Sequence, residues 1–312
     1  GRTSYEKTKT GKKIYPLSNR AIALLKENDN NLQKTLDKIK ARGPNFTQEE
    51  RDDIKVLNER LGNRDNYLKD ITDKFPDAST ILDLVIKEGS AKGVGNIGNV
   101  QSILARVIKS VVSKEKLKGI KIEAADLSSS SRYNSNDNKI YLTNDSTIVA
   151  FHELIHALTV REYLALDKNN PLVKKINSLM RALREHSLEQ GLITQEQLDV
   201  LDSLETSKDF RENLDNFHVE SRAQTAILYA LLNPKEFLSM AFSDQVVLNT
   251  LSEIPVTGVN RTNSIKTMFD SFIKFIRDLL GIPVGERTAL EETIRSGIKL
   301  IKSNSFEIEM EE

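Results

Sequence analysis

Residues 152–156 read His-Glu-Leu-Ile-His, and this pentapeptide constrains the chain more than any other stretch. On an α-helix, positions four apart lie one turn above each other, so His152 and His156 share a face. Two neutral imidazoles at that spacing can reach one zinc ion, and Glu153 beside them is placed to take a proton from water. The neighbours Phe151, Leu154, Ile155, Ala157 and Leu158 are apolar and can bury the rest of the helix. Two of the chain's four histidines fall inside this motif. The bland reading, an amphipathic helix with incidental histidines, requires that concentration to be accidental. The pattern points instead to a zinc-dependent hydrolytic centre.

Cysteine is absent, which leaves histidine and carboxylate groups to hold a metal and removes disulfides and a thiol nucleophile. The 45 basic and 45 acidic residues balance, so no global field draws in nucleic acid or an anionic surface. Nucleic-acid binding would rest on a basic arm near residues 7–13 alone and is not expected. No stretch reaches the roughly 18 apolar residues of a membrane span, so no membrane partner is expected either. An apolar content of 38% over 312 residues supports one large domain or two ordinary ones.

The chain reads as mainly α with a small β-sheet (α+β). A polar arm to about residue 17 precedes helices at 30–42, 47–75 and 80–87, the second opened by a Thr47–Glu50 capping box. Gly93-Val94-Gly95-Asn96-Ile97-Gly98 matches a dinucleotide fingerprint, but a helical segment precedes it where a strand is required. It reads as a linker, with a helical accessory region over 1–95 and a catalytic domain over 96–312. A helix at 100–116 and a strand at 120–124 follow. Next comes a hairpin, residues 132–134 and 139–143 around the turn-rich Ser135-Asn136-Asp137-Asn138, leading into the motif helix. The strand at 139–143 can offer an edge to an extended peptide, the alternative being an ordinary internal strand. Further helices are expected at 147–165, 172–190, 195–206, 218–231, 234–250, 263–280 and 287–303, and an acidic tail at 307–312. The phenylalanines at 269, 272 and 275 are spaced for a buried helix face.

A catalytic zinc site needs three protein ligands and an open position. The extended pattern H-E-x-x-H-x-x-G-x-x-H fails, because Thr159 replaces the glycine and Glu162, on a continuing helix, points away. The third ligand must come from farther along, where His218, Glu220 and Glu236 stand. Glu236 also suits a helix start after Asn233-Pro234 with no metal involved, and spacing alone leaves Glu220 and Glu236 nearly tied. His186 and His218 read as surface or helix-cap histidines.

The run from Tyr133 through Val160 resembles the metallopeptidase-like domain of large polyvalent proteins from bacteriophages and other mobile elements. The run Tyr229-Ala230-Leu231-Leu232-Asn233-Pro234-Lys235-Glu236-Phe237-Leu238 resembles that group's second block, in which the catalytic domain of anthrax lethal factor is also similar. The resemblance spans about residues 120–280. It implies a zincin-like fold of the gluzincin type, a Zn2+ ion on His152, His156 and Glu236, Glu153 as base, and Tyr229 as a hydroxyl supporting the oxyanion or leaving group. It also implies a protein or peptide substrate. One departure is Met240, where the group often carries a second glutamate; that carboxylate's role is either unfilled or taken by another residue, such as Asp244. The competing reading is a structural or virion-delivered protein, associated with other phage virion proteins, that keeps the fold with little or no turnover.

Overall fold

The computed structural model describes residues 6–7, 13–14, 17–28, 31–41, 47–90, 98–125, 130–204, 206–255 and 288–303. The expected glycine-rich linker, the helix at 263–280 with its phenylalanine face, and the acidic tail lie largely or wholly outside these residues. Contacts divide the chain into two compact units, one of residues 1–74 with 124–130 and one of 75–123 with 131–312.

In the first unit, two-residue strands β1 (Glu6–Lys7) and β2 (Lys13–Ile14) pair antiparallel within the expected polar arm. Helices α1 (Asn19–Glu27), α2 (Leu32–Lys40) and α3 (Gln48–Lys74) follow. Their shared core is Leu17, Ala21, Leu36, Ile39, Val56 and Leu57. Ser18 caps α1 through the Ala21 N–H and donates its hydroxyl to the buried Asp53 carboxylate at 2.5 Å, tying α1 to α3. The predicted capping box opens α3: Thr47 N–H donates to Glu50 at 3.0 Å, and Glu50 N–H donates back to the Thr47 hydroxyl at 3.2 Å.

The second unit begins with α4 (Ala78–Ser90), α5 (Gly98–Val111) and α6 (Lys114–Gly119). The accessory region was expected to include α4, yet α4 packs on α5 and on the motif helix, which sets the boundary after Lys74. The predicted helix at 100–116 is broken in two because the Ser113 hydroxyl accepts the Lys116 N–H and caps α6. Strands β3 (Lys121–Ala124), β4 (Arg132–Asn134) and β5 (Lys139–Leu142) form a sheet in the order β3-β5-β4. β5 is therefore the ordinary internal strand and not the peptide-binding edge; the edges are β3 and β4. β4 and β5 pair antiparallel with Tyr133 opposite Ile140.

Motif helix α7 (Thr147–Ala165) starts at the Ser146 N-cap and is apolar around most of its circumference, so it lies at the centre of the unit. Strands β4 and β5, helix α4 and two later helices, Pro234–Ser243 and Ala289–Lys302, cover it. The elements after α7 are α8 (Pro171–Glu189), α9 (Gln195–Asp202), α10 (Ser207–Glu212), a 3-10 turn at Leu214–Phe217, α11 (Arg222–Ala230), α12 (Pro234–Ser243), α13 (Gln245–Glu253) and α14 (Ala289–Lys302). The helix expected at 218–231 begins only at 222, since His218 adopts a left-handed backbone (φ 47°) and Ser221 is the N-cap. The helix expected at 234–250 is two helices. Asp244 takes an extended backbone, and its carboxylate accepts the Val246 and Val247 N–H groups as the cap of α13.

A half-buried lysine closes the far end of α7. Lys116 donates to Glu162 at 3.1 Å and to the Ile301 and Ser303 carbonyls at 3.2 and 3.0 Å, capping α14. Glu162 thus faces away from the histidine pair, as the continuing helix requires.

Candidate metal centre

Glu236 reaches the histidines because of how α12 begins. Asn233 accepts the Lys235 and Glu236 N–H groups, and Pro234 occupies the first helical position, so Glu236 sits in the first turn. α12 then packs along α7. On the facing side of α12, residues 236, 239, 240 and 243 recur at helical spacing, and Ser239 and Ser243 are small enough for close approach. Ser239 donates to the His152 carbonyl at 2.5 Å.

Three donor atoms meet there. Glu236 Oε2 lies 3.2 Å from His152 Nε2 and 3.1 Å from His156 Nε2, and the two Nε2 atoms are 3.1 Å apart. A tetrahedral zinc ion with bonds of about 2.0–2.1 Å separates its ligands by about 3.3 Å, so this near-equilateral triangle fits three corners of such a site. Two imidazoles and one carboxylate are the donor types zinc takes when thiolates are absent. Among the described residues, this is the group of histidine and carboxylate side chains close enough to share an ion. His218 and Glu220, the alternatives for the third donor, are exposed and outside it; Glu220 instead offers its N–H to Gln224. His186 lies 3.8 Å from the exposed Glu253 carboxylate and also plays no part.

The surrounding electrostatics separate the two glutamates. Burial works to raise the Glu236 carboxyl, but the His156 and His152 imidazoles outweigh it and hold the group well below the usual carboxylate range. Glu153, 7% exposed, is pushed up to about 7. Burial dominates and the Glu236 charge adds to it, against His152 and an N–H donated by the Tyr133 backbone. Because that N–H turns toward Glu153, Tyr133 and Ile140 form a non-hydrogen-bonded pair, and the Tyr133 carbonyl also faces away from β5.

Tyr229 comes from the end of α11, its ring centroid 6.2 Å from that of His152. Burial, then the charges of Glu236 and Glu153, push its phenol up, so it stays protonated at neutral pH and is a donor. Its hydroxyl hydrogen-bonds the Ser207 side chain. A cavity of about 320 Å³ adjoins it, walled by Phe210, Leu214, Ala226 and Met240.

Three contributors escaped the sequence reading. Arg211 acts electrostatically on both Glu153 and Tyr229, but nothing in its local sequence marks it. The Tyr133 N–H is a backbone group and carries no residue signature. Ser243 places its hydroxyl 3.1 Å from His152 Nδ1; Asp244, the expected replacement for the carboxylate missing at Met240, caps α13 instead. The signal for Ser243 was its position seven residues after Glu236, on the same helix face.

No family model, curated protein or solved structure matches this chain.

Proposed function

We propose that this chain is a zinc-dependent endopeptidase of the gluzincin type, with His152, His156 and Glu236 as ligands. The observation that carries the reading is the triangle of donor atoms 3.1–3.2 Å on a side, in which Glu236 comes from 80 and 84 positions beyond the two histidines, with Glu153 beside it. Zinc held there would supply a Lewis acid and bring the pKa of water down to roughly 7. Glu153, near neutrality and buried, is suited to take the proton of the attacking water and return it to the leaving amine. Tyr229, kept protonated, donates to the oxyanion that develops on the substrate. The free edge of β4, with the Tyr133 carbonyl turned outward, is where an extended peptide would add a strand, and the apolar cavity beside Tyr229 would take one of its side chains. Among the described residues no helix is long and apolar enough to cross a membrane.

The test is metal analysis of the purified protein together with cleavage of a peptide library. The expectation is about one zinc per chain and turnover that Glu153→Gln abolishes while the zinc remains. Zinc without turnover in the wild type would favour the structural, virion-delivered reading. A protein that takes no zinc would overturn the assignment of all three ligands.

A further inference from the structure

We propose that Ser243 is the positioning residue for His152: its hydroxyl fixes which imidazole nitrogen carries the proton and which presents a lone pair to the metal. This rests on the zinc reading above. The Ser243 hydroxyl has one proton, and it is directed to the Ser239 carbonyl at 2.7 Å. Toward His152 Nδ1, 3.1 Å away, the oxygen can therefore only accept, which places the imidazole proton on Nδ1. In the neutral ring, Nε2 is then left with its lone pair, directed at the point shared with His156 Nε2 and Glu236 Oε2.

The arrangement is held from several sides. The Ser243 carbonyl accepts from the Gln101 side chain of α5, and its neighbour Phe242 is wedged against Gly297 of α14. Ser243 is 3% exposed and Ser239 is fully buried, so water does not compete for these hydrogen bonds. Ser239 fixes the His152 backbone through its carbonyl while Ser243 fixes the ring, so one face of α12 supplies both a ligand and the two groups that orient another ligand. Removing such a partner from a metal-ligating histidine costs roughly 10–100-fold in metal affinity.

Zinc affinity by chelator competition, and exchange protection of the His152 Nδ1–H measured by NMR, test the proposal. Ser243→Ala is expected to weaken zinc binding at least tenfold and to expose that N–H to exchange, while Ser243→Thr restores both. A purely packing role would change thermal stability but neither readout. If Ser243→Ala binds zinc within about twofold of wild type with the N–H still protected, the proposal is wrong. If the wild type binds no zinc, the peptidase reading fails separately. The NMR arm on the metal-free protein then decides: loss of protection in Ser243→Ala upholds the role of Ser243 in orienting the ring, and unchanged protection overturns it.

Discussion

Gly297 of α14 meets the ring of Phe242 so closely that a Cβ on Gly297 would stand 2.6 Å from Phe242 Cε2. Phe242 is fully buried and immediately precedes Ser243, so this contact seats the helix that carries Glu236. A glycine inside a helix ordinarily costs about 1 kcal/mol relative to alanine, so Gly297→Ala at an open position would stabilise. Here the ring must move within a packed core, and overpacking costs about 1–3 kcal/mol. The expected outcome is a lower denaturation midpoint for Gly297→Ala, together with weaker zinc binding as α12 moves. A more stable variant would show that the ring yields freely.

Lys116 is the second seat of α14. Burial lowers its pKa despite the neighbouring Glu162 charge, yet its ammonium is held by Glu162 and by the last carbonyls of the helix. Lys116→Met keeps the length of the stem but leaves the Glu162 carboxylate buried with less countercharge and the α14 end uncapped. A loss of about 3–5 kcal/mol is expected by chemical denaturation. Adding Glu162→Gln to that variant should recover part of it, because the uncompensated charge disappears; a double variant no more stable than the single one would place the whole effect on the α14 cap.

Much of the site is legible from short-range pattern because its parts are local. The His152/His156 spacing and the Asn233-Pro234 start that presents Glu236 each depend on a single helix turn. What brings them together is long-range: α12 lying along α7. That is why spacing alone neither separates Glu220 from Glu236 nor marks Ser243. The same limit governs the sheet. Residues 139–142 alternate as a half-buried strand does, but whether such a strand lies at the centre or the edge depends on where β3 docks. Helix ends depart from the sequence pattern where a short polar side chain, Ser113 or Asp244, turns back to cap the next helix; on sequence alone such a residue can equally ride on a helix surface.

Asn138 explains how the β4–β5 turn keeps its shape. It adopts a left-handed backbone (φ 53°), accepts the Tyr133 hydroxyl at 2.7 Å and donates to the Gly119 carbonyl at 2.8 Å. Asn138→Ala loses both hydrogen bonds and retains the left-handed strain, for about 2 kcal/mol in all. Asn138→Gly loses the bonds but relieves the strain and should cost about half as much. Thermal melts of the pair give the order; alanine no worse than glycine would mean that the turn rearranges. Because Tyr133 also supplies the N–H to Glu153, both variants are expected to lower turnover more than zinc content.

Glu153 gives the metal-free protein a recognisable pH dependence. Its carboxyl stands near 7 in the folded chain against an ordinary value of 4.5, so the folded state binds a proton that the unfolded state has released between those values. Stability from this group is fully present below about pH 4.5 and is lost as pH rises toward 7, at roughly 1.4 kcal/mol for each pH unit crossed. Glu153→Gln cannot ionise, so its stability relative to wild type should climb across that window and level off above it. Comparing the two proteins isolates Glu153 from Glu236, whose depressed carboxyl acts in the opposite direction at lower pH. Denaturation of both zinc-free proteins at pH 4.5, 6 and 7.5 makes the measurement. A constant difference between them would mean that Glu153 ionises as freely as a solvated carboxylate, and its suitability as the proton acceptor would fall with that result.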